Sequence, residues 1–147
     1  MGGQCHFGIE STIVDLTGNP TILRPGSITV DKIQKVLKKK IEIKKSSKKI
    51  KAPGQLNFHY SPGIPVEMNK QYAKKNQALI GFGKEFKSRK NHFNLSKSGN
   101  LKEAANNLYK TMREIKKKKF KSIAVVKIPN TEIGYAINDR LMKASNK

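Results

Sequence analysis

Two short polar groups interrupt an otherwise apolar stretch near the start of the chain, and their types suit the binding of an anion. Glu10-Ser11-Thr12 precedes the strand-forming residues Ile13, Val14 and Leu16, and Arg24 follows Ile22-Leu23 just before Pro25-Gly26. Gly18-Asn19-Pro20 between the two runs is turn chemistry, so residues 8–26 read as a hairpin with Ser11 and Arg24 at its open end. A cation where the chain leaves the sheet, near a hydroxyl on the partner strand, is equipped to hold a phosphate or carboxylate. Position and spacing alone favour the plainer alternative, a half-buried hairpin with solvated polar ends. A second pair, His59-Tyr60, lies in residues 52–65 (APGQLNFHYSPGIP). Prolines and glycines fix the path of that segment, while Leu56, Phe58 and Tyr60 let it dock on another surface. Tyr60 packed with its hydroxyl outward is the equally weighted alternative.

The elements around these groups divide the chain. After the hairpin, Thr29 is placed to cap a helix with Asp31 in its first turn, an apolar face of Ile33, Val36 and Leu37, and Lys38–Lys40 at its end. Residues 41–43 alternate as a short strand, and residues 46–51 (SSKKIK) read as linker. From Val66 onward the pattern is α/β: strands over 78–82, 92–95 and 122–128, a helix from Asn100 to Lys119, and a last helix from Thr131 to about Ala144. Asn100 with Glu103 has capping-box spacing, and Ile133, Ile137, Leu141 and Ala144 mark the inward face of the last helix. This half carries no His/Cys/carboxylate cluster and reads as a binding or structural domain with a parallel or mixed sheet. Gly81-Phe82-Gly83 lacks the third glycine of a dinucleotide-binding turn and carries no weight.

The chain has 147 residues, a formal charge of +21 and 36% apolar residues, enough for modest cores and against wholesale disorder. No apolar run is long enough for a bilayer helix and no signal-peptide pattern opens the chain, so no membrane partner is expected and a cytoplasmic location is. The lone Cys5 excludes an intrachain disulfide and a thiolate zinc site, and reads as apolar filler. The charge implies weak nonspecific RNA attraction. The basic residues are nearly all lysine, which argues against a dedicated phosphate-reading surface. The chain enters its hairpin almost at once, with no earlier element to pair with. A start in the middle of a domain is therefore expected, with apolar strand surface left exposed where neighbours belong.

GIESTIVDL, ILRPGSIT and APGQLNFHYSP, in that order, resemble consecutive motifs of the L-threonylcarbamoyladenylate synthases, the YrdC-like family. LSKSGNLKEAANNLYKTMRE and GYAINDRLMKAS resemble the extra C-terminal domain of its long two-domain form. The resemblance implies an α/β chain in three parts: a C-terminal remnant of the YrdC-like domain (1–45), a proline-rich lid or linker (46–66), and a small Rossmann-like α/β domain (67–147). It also implies a nucleotidyltransferase that converts L-threonine, bicarbonate and ATP into threonylcarbamoyl-AMP and pyrophosphate for tRNA modification. On that pattern Ser11 contacts threonine, Arg24 and Tyr60 contact ATP, His59 is a lid residue, and Thr12 helps orient the strand. ATP enters as substrate, with Mg2+ carried on its phosphates rather than at a protein metal site, and a threonylcarbamoyl transferase complex is the expected partner. The family's Lys-x-Arg and Ser-x-Asn nucleotide motifs have no counterpart here, and no basic residue stands within residues 55–58. The expectation is therefore a truncated or split synthase, inactive alone. A basic RNA-binding or assembly module and a non-functional remnant are the alternatives.

Overall fold

The computed structural model describes residues 8–44, 63–87 and 89–145. Residues 46–62 of the expected lid, with His59 and Tyr60, lie outside the described residues, as does Cys5.

The larger unit is built on four parallel strands: β4 (Val66–Glu67), β5 (Gln77–Gly81), β6 (His92–Asn94) and β7 (Ser122–Val125), ordered β4-β7-β5-β6. β5 is buried along its whole length, as a central parallel strand covered on both faces must be. Two helices pack on the sheet, α2 (Leu101–Lys117) and α3 (Gly134–Ser145). The apolar stripe of α2, from Ala104 through Leu108 and Met112 to Ile115, joins Ile80, Leu95, Ile123, Ile137 and Leu141 in one core. The expected inward face of α3 is buried as read, although the helix begins at Gly134, whose N–H donates to the Thr131 carbonyl. β7 ends at Val125, short of the expected Ile128, and among the described residues no helix separates β5 from β6.

The capping box expected at α2 is replaced by another arrangement. Asn100 Oδ1 accepts from the N–H groups of Lys102 and Glu103, at 2.9 and 3.0 Å. Glu103 does not close the box. Its carboxylate accepts hydrogen bonds from the Ser96 and Ser98 hydroxyls, and Ser96 Oγ accepts from the Asn100 N–H instead. The helix start is thus saturated by its own neighbours, with a carboxylate where its dipole favours one. The lysines at the other end are exposed; Lys118 pairs with Glu114 and sits over the Phe93 ring.

The smaller unit is a three-stranded sheet ordered β1 (Ile13–Asp15), β2 (Thr21–Arg24), β3 (Glu42–Ile43), with the helix α1 (Val30–Leu37) between β2 and β3. The hairpin and the short third strand fall where the residues place them. The helix differs from its reading: Thr29 holds the cap position without a side-chain bond, and none of its residues is buried. Val36 is 80% exposed and Leu16 65% exposed. An amphipathic pattern identifies a face that wants cover, and among the described residues that cover is partial: Ile33 and Leu37 are half-buried and Val36 is not.

The two units predict contrasting responses to cavity formation. Ile137→Ala should cost about 2–5 kcal/mol, as removal of a fully buried aliphatic group does. Val36→Ala should stay within about 0.5 kcal/mol, as at other surface positions. Urea unfolding followed by far-UV circular dichroism checks both; a large loss at Val36 would mean that its face is covered.

Candidate functional site: the hairpin wall and its seat on the C-terminal unit

The antiparallel pairing of β1 and β2 brings Ser11 and Arg24 together. Ile13 lies opposite Arg24 and Val14 opposite Ile22, so Leu23 is the extra residue of a bulge. A bulge re-aims side chains. Here it lets the consecutive residues Ile22 and Leu23 both be buried while Arg24 stays at the accessible edge. Arg24 Nε donates to the Ser11 carbonyl at 3.1 Å and Nη2 to Ser11 Oγ at 3.2 Å. Ser11 is exposed, and with its oxygen accepting from Arg24 its own O–H is left to donate outward. The pair can present a fixed positive charge and a hydroxyl donor to one anionic group. Thr12 Oγ1 donates to the Ile28 carbonyl at 2.6 Å, tying the entry of β1 to the segment that leads into α1.

The wall is seated on the C-terminal unit through the residues just before Ser11. Gly8 has φ +53, and a Cβ there would stand 2.5 Å from the Asn106 Cα of α2. Ile9 is buried within the C-terminal core itself. The Glu10 carboxylate accepts from Arg140 Nε at 2.9 Å and from the Tyr109 hydroxyl at 3.0 Å. Arg140 has no exposed side-chain surface. Its Nη1 pairs with Asp139, itself paired with Lys143, and its Nη2 donates to the Pro25 carbonyl at 3.0 Å. One guanidinium therefore grips the residue before Ser11 and the residue after Arg24.

Sequence reasoning registered Glu10 only as a polar interruption and passed over Arg140 and Tyr109. The signal was present in α3: Arg140 falls at i+3 from Ile137 and i+7 from Ile133, inside the apolar stripe. A charge on the buried face of a helix calls for a buried partner.

Burial pushes the Glu10 carboxyl pKa up, but the hydrogen bond and charge of Arg140, a backbone hydrogen bond and the Tyr109 hydroxyl outweigh it and leave the value below 4.5. Elsewhere, Glu67 at the end of β4 is held low by hydrogen bonds from Lys74 and Gln77. Glu67, Lys70, Tyr72 and Lys74 border an open recess of about 290 Å³ whose charges already pair with one another. Among the described residues no group of three His, Cys, Asp or Glu side chains could hold a metal ion. Among them, too, no helix is long and apolar enough to cross a membrane.

A carboxylate whose folded pKa is depressed contributes stability above its unfolded value and loses it as pH falls through the folded value. Lowering the pH below about 4.5 should therefore remove a Glu10-dependent share of stability, about 1 kcal/mol or less because a third of that side chain meets water. Urea midpoints measured from pH 6 to 3 should fall less steeply for Glu10→Gln than for the unaltered chain; parallel slopes would refute the assignment. Independently, a Cβ at Gly26 would run into the backbone of Glu10, Ser11 and Thr12. Gly26→Ala should lower stability by about 1–3 kcal/mol through overpacking, measurable in the same unfolding assay.

Residues 28–146 match the family model for the threonylcarbamoyl-AMP synthase C-terminal domain. The threonylcarbamoyl-AMP synthase of Pyrococcus abyssi is 30% identical over 166 residues, covering 98% of this chain and 48% of that protein. The Bacillus subtilis enzyme of the same name is 28% identical over 167 residues, covering 98% and 47%. The crystal structure of P. abyssi Sua5 complexed with L-threonine superposes with a TM-score of 0.81 at 28% identity, over 98% of this chain and 48% of that one. The chain spans about half the length of the curated relatives it matches. The mixed α/β fold with its parallel sheet is thus shared with a solved synthase, and the chain belongs to the threonylcarbamoyl-AMP synthase family, matching its C-terminal domain.

Proposed function

We propose that this chain forms the C-terminal part of a threonylcarbamoyl-AMP synthase and that its hairpin is one wall of the substrate cleft. The observation that carries this reading is the pairing of Arg24 with Ser11 at the accessible edge of β1 and β2. The relative crystallised as P. abyssi Sua5 is complexed with L-threonine, which supports threonine as a substrate of the completed enzyme. In the reaction, the threonine amine condenses with bicarbonate to a carbamate and water. A carbamate oxygen then attacks the α-phosphorus of ATP, and pyrophosphate leaves. Charge grows on the phosphate oxygens as the bond to the leaving group lengthens, and a fixed guanidinium such as Arg24 stabilises it there. Ser11 donates to the threonine. Residues 1–45 complete a YrdC-like domain supplied by the other half of the enzyme, which brings the remaining nucleotide-binding groups. The segment from residue 46 up to the start of β4 serves as the lid, with Tyr60 on the nucleotide and His59 beside the phosphates, excluding water from a labile mixed anhydride. The expected lid boundary at 66 is drawn back because Val66 belongs to the C-terminal sheet. Mg2+ enters with ATP. The product passes to a threonylcarbamoyl transferase acting on tRNA in the cytoplasm.

Supplying the N-terminal half of the synthase should give pyrophosphate release that requires ATP, threonine and bicarbonate together. Arg24→Ala should lower that rate about 10²-fold, as loss of one transition-state donor does. Ser11→Ala should raise the threonine KM about 10-fold, in line with one hydrogen bond lost. Release that persists without threonine, or that ignores Arg24, would refute the reading.

A further inference from the structure

We infer that Arg140, with Glu10 and Tyr109, is a positioning group of the substrate wall: the C-terminal unit holds Ser11 and Arg24 at their working separation and angle. The inference rests on the function proposed for that wall. Four observations converge on it. Arg140 Nε binds the Glu10 carboxylate and Arg140 Nη2 binds the Pro25 carbonyl, so one rigid fork joins the segment leading into β1 to the residue that follows β2. Glu10 is covalently adjacent to Ser11 and Pro25 to Arg24, so a shift at the fork reaches both site residues through one peptide unit each. Between the two gripped points, Ser27 N–H donates to the Glu10 carbonyl at 3.2 Å and Gly26 fits closely against the 10–12 backbone. Finally, Ile9 is anchored in the C-terminal core, while the apolar residues Leu16 and Val36 of the N-terminal unit are largely exposed. The wall therefore takes its rigid reference from α2 and α3 more than from its own sheet.

Arg140 touches neither Ser11 nor Arg24 in the contacts described and has no exposed surface, so it acts through the backbone. Its loss leaves the groups that meet substrate intact but lowers the fraction of molecules in which they stand correctly placed. Apparent affinity falls by that fraction while turnover at saturation is retained.

Hydrogen exchange of the full chain, with no ligand present, tests the mechanical half. Arg140→Lys keeps a charge but not the fork, and should speed exchange across residues 8–29 at least 10-fold while β5 and β7 remain protected. Tyr109→Phe and Glu10→Gln remove less and should give smaller changes in the same segment, which keeps the test open should Arg140→Lys fold poorly. Unchanged exchange in that segment, or equal loosening of β5 and β7, overturns the inference. In the synthase completed with its N-terminal half, the same three variants should raise KM for threonine or ATP, about 10-fold for a fall to one-tenth in the competent fraction, with kcat within about 2-fold. A kcat loss at unchanged KM overturns the positioning role. If the unaltered assembly releases no pyrophosphate, the proposed function fails, while the exchange comparison still decides whether the fork holds the wall.

Discussion

A guanidinium sealed from water has to be answered by the protein around it. Arg140 lies inside the stripe with which α3 meets the core, and each of its three nitrogens is answered: by Glu10, by Asp139 and by the carbonyl of Pro25. Leaving such a charge unpaired in an interior costs several kcal/mol, so the C-terminal unit is not indifferent to what covers this end of α3. The cover it has is the open end of the hairpin. The fold of the larger unit thereby dictates where the strands carrying Ser11 and Arg24 can sit, and the remaining contacts at that junction agree with it. Ile9 fills the core, Gly8 allows the close approach to α2, and Tyr109 shares the carboxylate.

This arrangement inverts the usual relation between a sheet and its loops. The smaller unit has three short strands and a helix with no buried residue. A sheet of that size with one uncovered side is marginal by itself. The larger unit has a central strand buried along its length and two helices locked to it, so it supplies rigidity. The hairpin is seated on the C-terminal unit through residues 8–10 and 25, while Leu16 and Val36 stay exposed among the described residues.

Much of this was legible beforehand, for identifiable reasons. The hairpin, the helix beginning at Leu101, the strand at 77–81 and the inward face of α3 follow from local signals: turn residues, caps and apolar periodicity. What escaped reading depended on residues distant in sequence. Glu10 and Arg140 are separated by 130 positions, and neither looks unusual until they are brought together. The Asn100 cap forms as read, but the reciprocal bond of a capping box does not, because Ser96 and Ser98 engage the Glu103 carboxylate that the box required. The apolar face read in α1 is real as a pattern but only half covered among the described residues, with Ile33 and Leu37 partly buried and Val36 exposed. The neighbourhood of Ser11 and Arg24 followed from the hairpin register. The bulge that aims Arg24 outward did not, since Ile22-Leu23 in a regular strand would have pointed to opposite faces.

The choice of basic residue carries the last piece of the argument. Lysine dominates the positive charge of this chain, and only Arg24, Arg89, Arg113 and Arg140 are arginine. If charge alone were wanted at the wall, lysine would serve, and compositional pressure would tend to install it. Two of the four arginines nevertheless stand on either side of the Glu10–Ser11 peptide, and each uses its nitrogens as separate, directed donors. Arg24 reaches both the carbonyl and the hydroxyl of Ser11; Arg140 reaches a carboxylate ahead of β1 and a carbonyl just after β2. An ammonium on a flexible stem cannot hold two such points in one fixed geometry. Geometry, more than net charge, therefore accounts for these two side chains, and it separates the wall from the diffuse lysine surface surrounding it.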